Sequence, residues 1–460
     1  MLFSSNVFLF AYLPIVLLLY FISPRKLRNL VLLVVSLFFY GWGEPVYTLL
    51  MVATIVMDYG FGYWIHLRHS KGKSAKGVLA LGMALNLLLL GYFKYAGFIV
   101  TQLKLLPVFA GLTVPEVTLP IGISFYVFQS MSYIIDVYRD DAPVQKNPLT
   151  LGTYVTLFPQ LIAGPIVRYG DVAEQMDHRR ENTSDFASGV ILFLVGLGKK
   201  VLLANPMGNL WLLLQAETGT AAAWMGIGAY TLQIYFDFSG YSDMARGLGR
   251  MLGFEFLENF DYPYISRTVT EFWRRWHISL STWFREYVYI PLGGNRKGKG
   301  RQILNLLAVW ALTGLWHGAS WNFVLWGLYY AALLIIEKTF LLNLLKKLPA
   351  AVGHIYTMFA VLLGWALFYF EDLGALGGFL QQLFVPAAGT VHGTNLMLAF
   401  LPMLLVSAVA ATPLAKNFFL PKRDSGLIRW GSVALAAVLM VLCVAALASQ
   451  SYNPFIYFRF

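Results

Sequence analysis

The chain has 460 residues, of which 58% are hydrophobic, 16% aromatic and only 12% charged. Soluble globular chains are about half apolar and about a quarter charged. The balance here therefore excludes a disordered chain, a coiled coil and an ordinary soluble enzyme, and indicates an integral membrane protein. Lys plus Arg number 34 against 23 Asp plus Glu, a formal net charge of +11. In a membrane protein that excess marks cytoplasmic loops and anionic lipid rather than nucleic acid. The one cysteine, Cys443, lies in an apolar run and cannot form an intramolecular disulfide. No cleavable signal pattern is expected, because residues 1–6 carry no basic side chain.

A helix needs about 20 apolar residues to cross the hydrocarbon core. In chain order, the candidate runs are 3–22, 27–40, 46–65, 77–100, 120–137, 186–214, 221–238, 303–316, 321–336, 355–370, 396–411 and 428–448. Some are short or broken by Gly and Pro and are expected to tilt or re-enter, which leaves about eleven crossings. The basic loops at 24–28 and 66–76 lie two runs apart and so share a side, which the positive-inside rule makes cytoplasmic. The N-terminus is then outside. Counting onward places 168–180, 267–301, 346–347 and 416–429 inside and the tail 451–460 outside. No internal repeat is visible, which argues against an inverted-repeat transporter. The stretch 254–300, rich in Arg, Trp, Tyr and Glu, reads as amphipathic helix on the cytoplasmic face.

Six stretches hold candidate chemistry. In Phe158-Pro159-Gln160-Leu161-Ile162-Ala163-Gly164-Pro165, the Pro and Gly residues break a helix inside an apolar run. Such a break needs a protein-covered or cavity-lining site and suggests a re-entrant segment. Asp237 and Asp243 sit six apart among aromatics; with no His beside them, structural hydrogen bonding is the expected role over a metal site. Asp58 and Asp136 are read as lone acids near helix ends without a role.

In Glu271-Phe272-Trp273-Arg274-Arg275-Trp276-His277-Ile278-Ser279-Leu280-Ser281, helical spacing puts Trp273, Trp276 and Leu280 on one face and Arg274, His277 and Ser281 on another. This fits either an interfacial helix with a tryptophan belt or a basic mouth for an anionic donor. The loop Pro291–Arg301 is rich in Gly and cations but lacks a phosphate-loop pattern, and reads as an anchor.

His317, in Gly314-Leu315-Trp316-His317-Gly318, is an ionisable group at membrane depth. Imidazole, with a reference pKa near 6.5, exchanges a proton at neutral pH. It is either a reaction-site base or a histidine hydrogen-bonded between helices. Gly314 and Gly318 leave room for a substrate or another backbone. The tail Asn453-Pro454-Phe455-Ile456-Tyr457-Phe458-Arg459-Phe460 fits an aromatic anchor, and a phenol can also be a nucleophile. No Walker A, Gly-x-Ser-x-Gly or His-Glu-x-x-His pattern is present, and His66, His69, His178, His354 and His392 lack metal-ligand spacing.

Four of these stretches, in this order and spacing, resemble the membrane-bound O-acyltransferase (MBOAT) family, above all its bacterial polysaccharide branch of the alginate O-acetyltransferase type. They are Phe158–Ile166, Phe272–Leu280, Gly314–Gly318 and Asn453–Phe458. The resemblance implies an all-α polytopic fold, residues 1–460 forming one membrane domain, with helices in a ring around a central tunnel. It also implies that His317 is catalytic, that His277 matches the polar residue of the family's Trp-x-x-Trp-His segment, and that Tyr457 transiently carries the acyl group; His277 is expected to assist by positioning or polarising the thioester carbonyl.

The expected donor is acetyl-CoA or another acyl thioester, with Arg274, Arg275 and Arg285 at the cytoplasmic mouth and no resident cofactor or metal. An extracytoplasmic partner resembling SGNH esterases would pass the acetyl group to a polysaccharide. The expected location is the bacterial cytoplasmic membrane. D-alanyl transfer from a carrier protein to teichoic acid, or non-catalytic transport, stand as alternatives.

Overall fold

A computed structural model describes residues 1–162, 164–419, 426–449 and 455–456, and among them every regular element is helical. The chain divides into two compact units, Met1–Phe193 with Met244–Leu257, and Leu194–Asp243 with Glu258–Phe460.

The first unit contains α1 (Leu13–Ile22), α2 (Arg28–Gly41), α3 (Pro45–Ser70), α4 (Lys76–Leu103), α5 (Ile123–Arg139), α6 (Pro148–Thr156) and α7 (Tyr169–His178). Its centre is α5, buried from Ile123 to Val137. Gly122 starts that helix at φ 76°, in the left-handed region that favours glycine. Small residues let α5 approach its neighbours: a Cβ on Gly62 of α3 would meet the Tyr133 ring. Asp58 is buried in mid-helix rather than near an end, and accepts a hydrogen bond from Asn86 Nδ2 at 2.7 Å. A buried carboxylate needs such a donor.

The break in the Phe158–Ile166 stretch is confirmed. After α6 comes one helical turn, Phe158–Leu161, whose first N–H donates to Ser36 Oγ at 3.1 Å. The residues around it are buried, so the freed backbone is covered by protein. The basic loop after α1 is only partly free charge. Arg28 pairs with Glu181 at 2.6 Å, and Arg179 donates to Tyr20 Oη at 2.8 Å and to Asn29 Oδ1 at 2.6 Å.

Two helices carry the chain between the units, α8 (Thr183–Gly198) and α10 (Thr220–Met251), with α9 (Asn205–Gln215) between them. The second unit continues with α11 (Val269–Arg275), α12 (Ile278–Phe284), α13 (Lys299–His317), α14 (Trp321–Ile336), α15 (Ala350–Tyr369), α16 (Leu373–Phe384), α17 (Val391–Ala410) and α18 (Gly426–Ser449). Among the described residues, seven helical stretches are long and apolar enough to cross a membrane: Pro45–Ser70, Lys76–Leu103, Thr183–Gln215, Trp321–Leu345, Ala350–Tyr369, Val391–Ala410 and Trp430–Ser449. The runs at 27–40 and 120–137 form helices of 14 and 17 residues, shorter than a full crossing. Polarity is inverted relative to a soluble protein. Leu18, Ile22, Leu49 and Val441 stand exposed while Tyr126, Trp326 and Trp365 are buried, as a lipid-facing surface requires. The chain is a multi-pass membrane protein.

The stretch 254–300 departs from the expected amphipathic helix. Its central part is two short helices, α11 and α12, split at His277, so Arg274, His277 and Ser281 share no single helix face, although all three line one cavity. Trp273 and Trp276 are core residues rather than a lipid belt. Trp276 packs 4.8 Å from Trp365, and Trp273 packs 4.7 Å from Trp310 and 4.8 Å from Tyr330, between ring centres. Aromatic burial of this size outweighs an interfacial position.

Candidate active site

His277 sits at the break between α11 and α12. Its backbone is left-handed, with φ 45°, which costs a non-glycine residue on the order of 1–3 kcal/mol. Neighbouring contacts hold it there. Asn259, buried in the preceding extended segment, accepts from Ile278 N through its backbone carbonyl at 3.0 Å. The Asn259 side-chain oxygen accepts from Ser279 N at 3.1 Å and Ser279 Oγ at 2.9 Å. A backbone N–H only donates, so the amide orientation is fixed.

His277 Nδ1 then faces two acceptors, Asn259 Oδ1 at 3.3 Å and Ser279 Oγ at 3.5 Å. This assigns the proton to Nδ1 and the lone pair to Nε2. Phe238 and Trp316 lie edge-on at 4.7 Å and 6.0 Å, Phe260 stacks at 6.4 Å, and His277 is 1% exposed. Burial pushes its pKa from 6.5 down to about 3, so it is neutral at physiological pH.

α11 is itself fixed at its N-terminal end. Thr268 Oγ1 accepts from Glu271 N at 2.9 Å, an N-cap that satisfies one of the helix's orphan donors. Fully buried Glu337, in the stretch Glu337–Leu341 that continues α14, accepts from Val269 N at 2.6 Å, Thr270 N at 2.8 Å and Thr270 Oγ1 at 2.6 Å. Its charge faces the positive end of the helix, where a carboxylate is stabilising.

His317 is the last residue of α13, just before the extended Gly318. Its position follows from the close α13–α14 hairpin. A Cβ on Gly314 would strike the Phe323 carbonyl, and one on Gly327 would strike the Trp310 carbonyl. Of the two roles open to Gly314, the approach of another backbone is therefore the one observed. The imidazole, 4% exposed, lies in an aromatic frame with Trp326 at 4.9 Å, Trp316 at 5.0 Å and Phe368 at 5.2 Å.

Both histidines line one cavity of about 250 Å³. Trp273, Trp276 and Trp310 supply apolar wall, and Arg274, Arg285 and Lys338 supply positive charge. Arg285 is 63% exposed and pairs with Glu286 at 2.7 Å. Arg275 is not a lining residue: its guanidinium is held by Asp261 at 2.8 Å and Glu271 at 3.0 Å. The loop Pro291–Arg301 is likewise absent from the lining, and its Gly294 carbonyl accepts from Asn305 Nδ2 at 2.9 Å. Among the described residues, no three His, Cys, Asp or Glu side chains converge to hold a metal.

Tyr457 lies outside the described residues; Phe455 and Ile456 just before it are described. Phe455 stacks on Tyr241 at 4.9 Å and lies 5.7 Å from Phe238. Asp237 and Asp243 have structural partners, as expected, in Lys200 at 2.5 Å and Lys199 at 2.6 Å.

Three residues of this site are not evident from the sequence. Lys338 follows an apolar run and looks like a plain helix-end cation, whereas Glu337 and Asn259 act through contacts 68 and 20 residues distant. Only Glu337, an acid beside a spanning run, gave a local hint.

An apolar cavity with two buried imidazoles and a cationic rim fits general acid–base transfer of a group from an anionic donor. The sequence comparisons agree with this chemistry. The profile of the family described as MBOAT, membrane-bound O-acyltransferase, matches residues 138–371, more than half of the chain. The chain is 40% identical to the "Probable alginate O-acetylase AlgI" of Azotobacter vinelandii, over the full length of both. It is 34% identical to the peptidoglycan O-acetyltransferase of Helicobacter pylori, over 81% of this chain and 78% of that protein. It is 30% identical to the teichoic acid D-alanyltransferase of Bacillus subtilis, over 48% of this chain and 59% of that protein. The chain belongs to the membrane-bound O-acyltransferase family and is an O-acyltransferase of the membrane.

Proposed function

We propose that this O-acyltransferase takes an acetyl group from acetyl-CoA on the cytoplasmic side of a bacterial cytoplasmic membrane and passes it outward, for O-acetylation of an extracytoplasmic polysaccharide. The carrying observation is the shared cavity of His277 and His317, with Arg274, Arg285 and Lys338 around it. The three cations suit the phosphates of coenzyme A, and the tryptophan walls suit the aliphatic carbons of its arm. The names of the alginate and peptidoglycan relatives support acetyl as the group and a polysaccharide as the final acceptor.

His317 is the general base. It removes the phenolic proton of Tyr457, and the phenolate oxygen attacks the thioester carbonyl carbon. The C–S bond breaks, the thiolate leaves and takes the proton back from His317, and the acetyl group rests on Tyr457 as an ester. Such proton transfer contributes about 10²–10⁴-fold in rate. The one phenolic proton goes to His317, so His277 does not share it. With its proton on Nδ1 it offers an acceptor at Nε2, which suits orienting an amide N–H of the donor's arm and not donating to the thioester carbonyl. Delivery to the polysaccharide falls to a separate esterase-like partner outside the membrane, since this sequence has no Gly-x-Ser-x-Gly elbow.

The test is transfer from radiolabelled acetyl-CoA to purified protein in lipid nanodiscs, followed by mass spectrometry of the C-terminal peptide. An acetyl ester on Tyr457, absent from Tyr457→Phe, is expected. Full polysaccharide acetylation by Tyr457→Phe would overturn the carrier role. Loading from a D-alanyl carrier protein but not from acetyl-CoA would overturn the donor.

A further inference from the structure

The ion pair between Lys200 and Asp237 is buried, with side chains 6% and 2% exposed, and the catalytic scheme gives it no task. Burying two charges is costly, and such a pair is weak evidence for stability by itself. This pair is not used up by its own partner. Lys200 takes Asp237 Oδ1 at 2.5 Å, and Asp237 Oδ2 accepts the backbone N–H of Ile456 at 2.7 Å. Residues 237 and 241 of α10 are one turn apart and share a face. The neighbouring tail residue, Phe455, stacks on Tyr241 of that face. It also meets Phe238, and the Phe238 ring is the one that stands edge-on to His277. One helix face therefore touches the tail backbone, the tail side chain and the reaction-site histidine.

We propose that the Lys200–Asp237 pair is a docking receptor for the main chain of the C-terminal segment. Lys200 holds Asp237 Oδ1, Asp237 Oδ2 captures the Ile456 N–H, and Tyr241 with Phe238 clamp Phe455. The tail is thereby registered against the wall that carries His277. Recognition through a main-chain N–H is indifferent to the side chain at position 456, while the aromatic clamp selects an aromatic at 455. Asp237 is a positioning residue, and this role rests on the reading of Tyr457 as the acyl carrier.

The test uses the full-length protein in nanodiscs and reads docking separately from transfer. Ile456→Pro deletes the donated hydrogen without altering the receptor; Ile456→Ala keeps it. Hydrogen–deuterium exchange of the tail peptide reports docking, and labelled acetyl on Tyr457 reports transfer. Ile456→Pro is expected to raise tail exchange and to cut Tyr457 loading roughly ten- to hundredfold, the range for a hydrogen bond to a charged group. Ile456→Ala is expected to stay within about threefold of wild type, because its N–H survives. Lys200→Met with Asp237→Leu removes both charges together, leaves no buried charge unpaired, and is expected to release the tail in the same way. Wild-type exchange in Ile456→Pro and in the double variant would overturn the docking role. Released exchange together with full polysaccharide acetylation by Tyr457→Phe would leave docking standing and remove the carrier reading.

Discussion

Asn259 meets His277 Nδ1 from outside the cavity lining, and its replacement gives a quantitative expectation. Asn259→Ala removes the acceptor of three donors: Ser279 N, Ser279 Oγ and His277 Nδ1. A neutral hydrogen bond contributes about 0.5–1.5 kcal/mol net, and about 1.4 kcal/mol is tenfold in an equilibrium. Losing the bond to Nδ1 removes up to about tenfold of tautomer bias. Loss of the two bonds from Ser279 loosens a backbone already held at φ 45°. The expected result is a fall in kcat of about 10- to 100-fold, with KM for acetyl-CoA within about threefold.

Asn259→Asp keeps the acceptor but puts a carboxylate beside the ring, which raises the imidazole pKa. His277 is useful only when neutral, so this variant gains an acid limb, with activity depressed at low pH and recovering as pH rises. The assay is the pH profile of acetyl transfer from labelled acetyl-CoA in nanodiscs. Wild-type kcat in Asn259→Ala, or unchanged pH profiles in Asn259→Asp, would refute the tautomer argument.

Three other outcomes follow from the same geometry. Glu337→Gln loses charge-assisted bonds to the start of α11 and is expected to cost about 1.5–3 kcal/mol, read as a lower unfolding midpoint in detergent. Gly314→Ala pushes a methyl group at the Phe323 carbonyl, so α13 and α14 must part and displace His317. Overpacking of this kind costs about 1–3 kcal/mol, and kcat should fall with the melting temperature. The depressed pKa of His277 also has a stability consequence. Its folded value of about 3 lies below the ordinary 6.5, so its contribution is present above pH 6.5 and is lost as pH falls toward 3. His277→Gln should flatten that part of the stability profile, measured by thermal unfolding across pH.

His317 was legible in the sequence because an ionisable group inside so apolar a run has few inexpensive explanations. The helix break at Phe158–Ile166 was legible because Pro and Gly act on their own backbone. The split at His277 was not. Helical periodicity runs smoothly through Trp273, Trp276 and Leu280, and the left-handed turn is imposed by Asn259, a residue from another segment. For the same reason a tryptophan belt and a basic mouth were both open readings where an aromatic core is found, since spacing says which residues share a face and not what that face meets. Arg275 and Arg274 are equivalent in sequence. Asp261 and Glu271 claim one of them and leave the other at the cavity, and no local pattern separates the two. Lys338 joined the site only through the fold that brings the end of α14 against α11.

The most direct test of the account is acetyl transfer by His317→Gln, measured with labelled acetyl-CoA in nanodiscs alongside thermal unfolding of the same preparation. The account predicts a folded protein whose transfer rate is down by at least about 100-fold, the lower bound expected for loss of a general base. A folded His317→Gln protein transferring acetyl at the wild-type rate would contradict it.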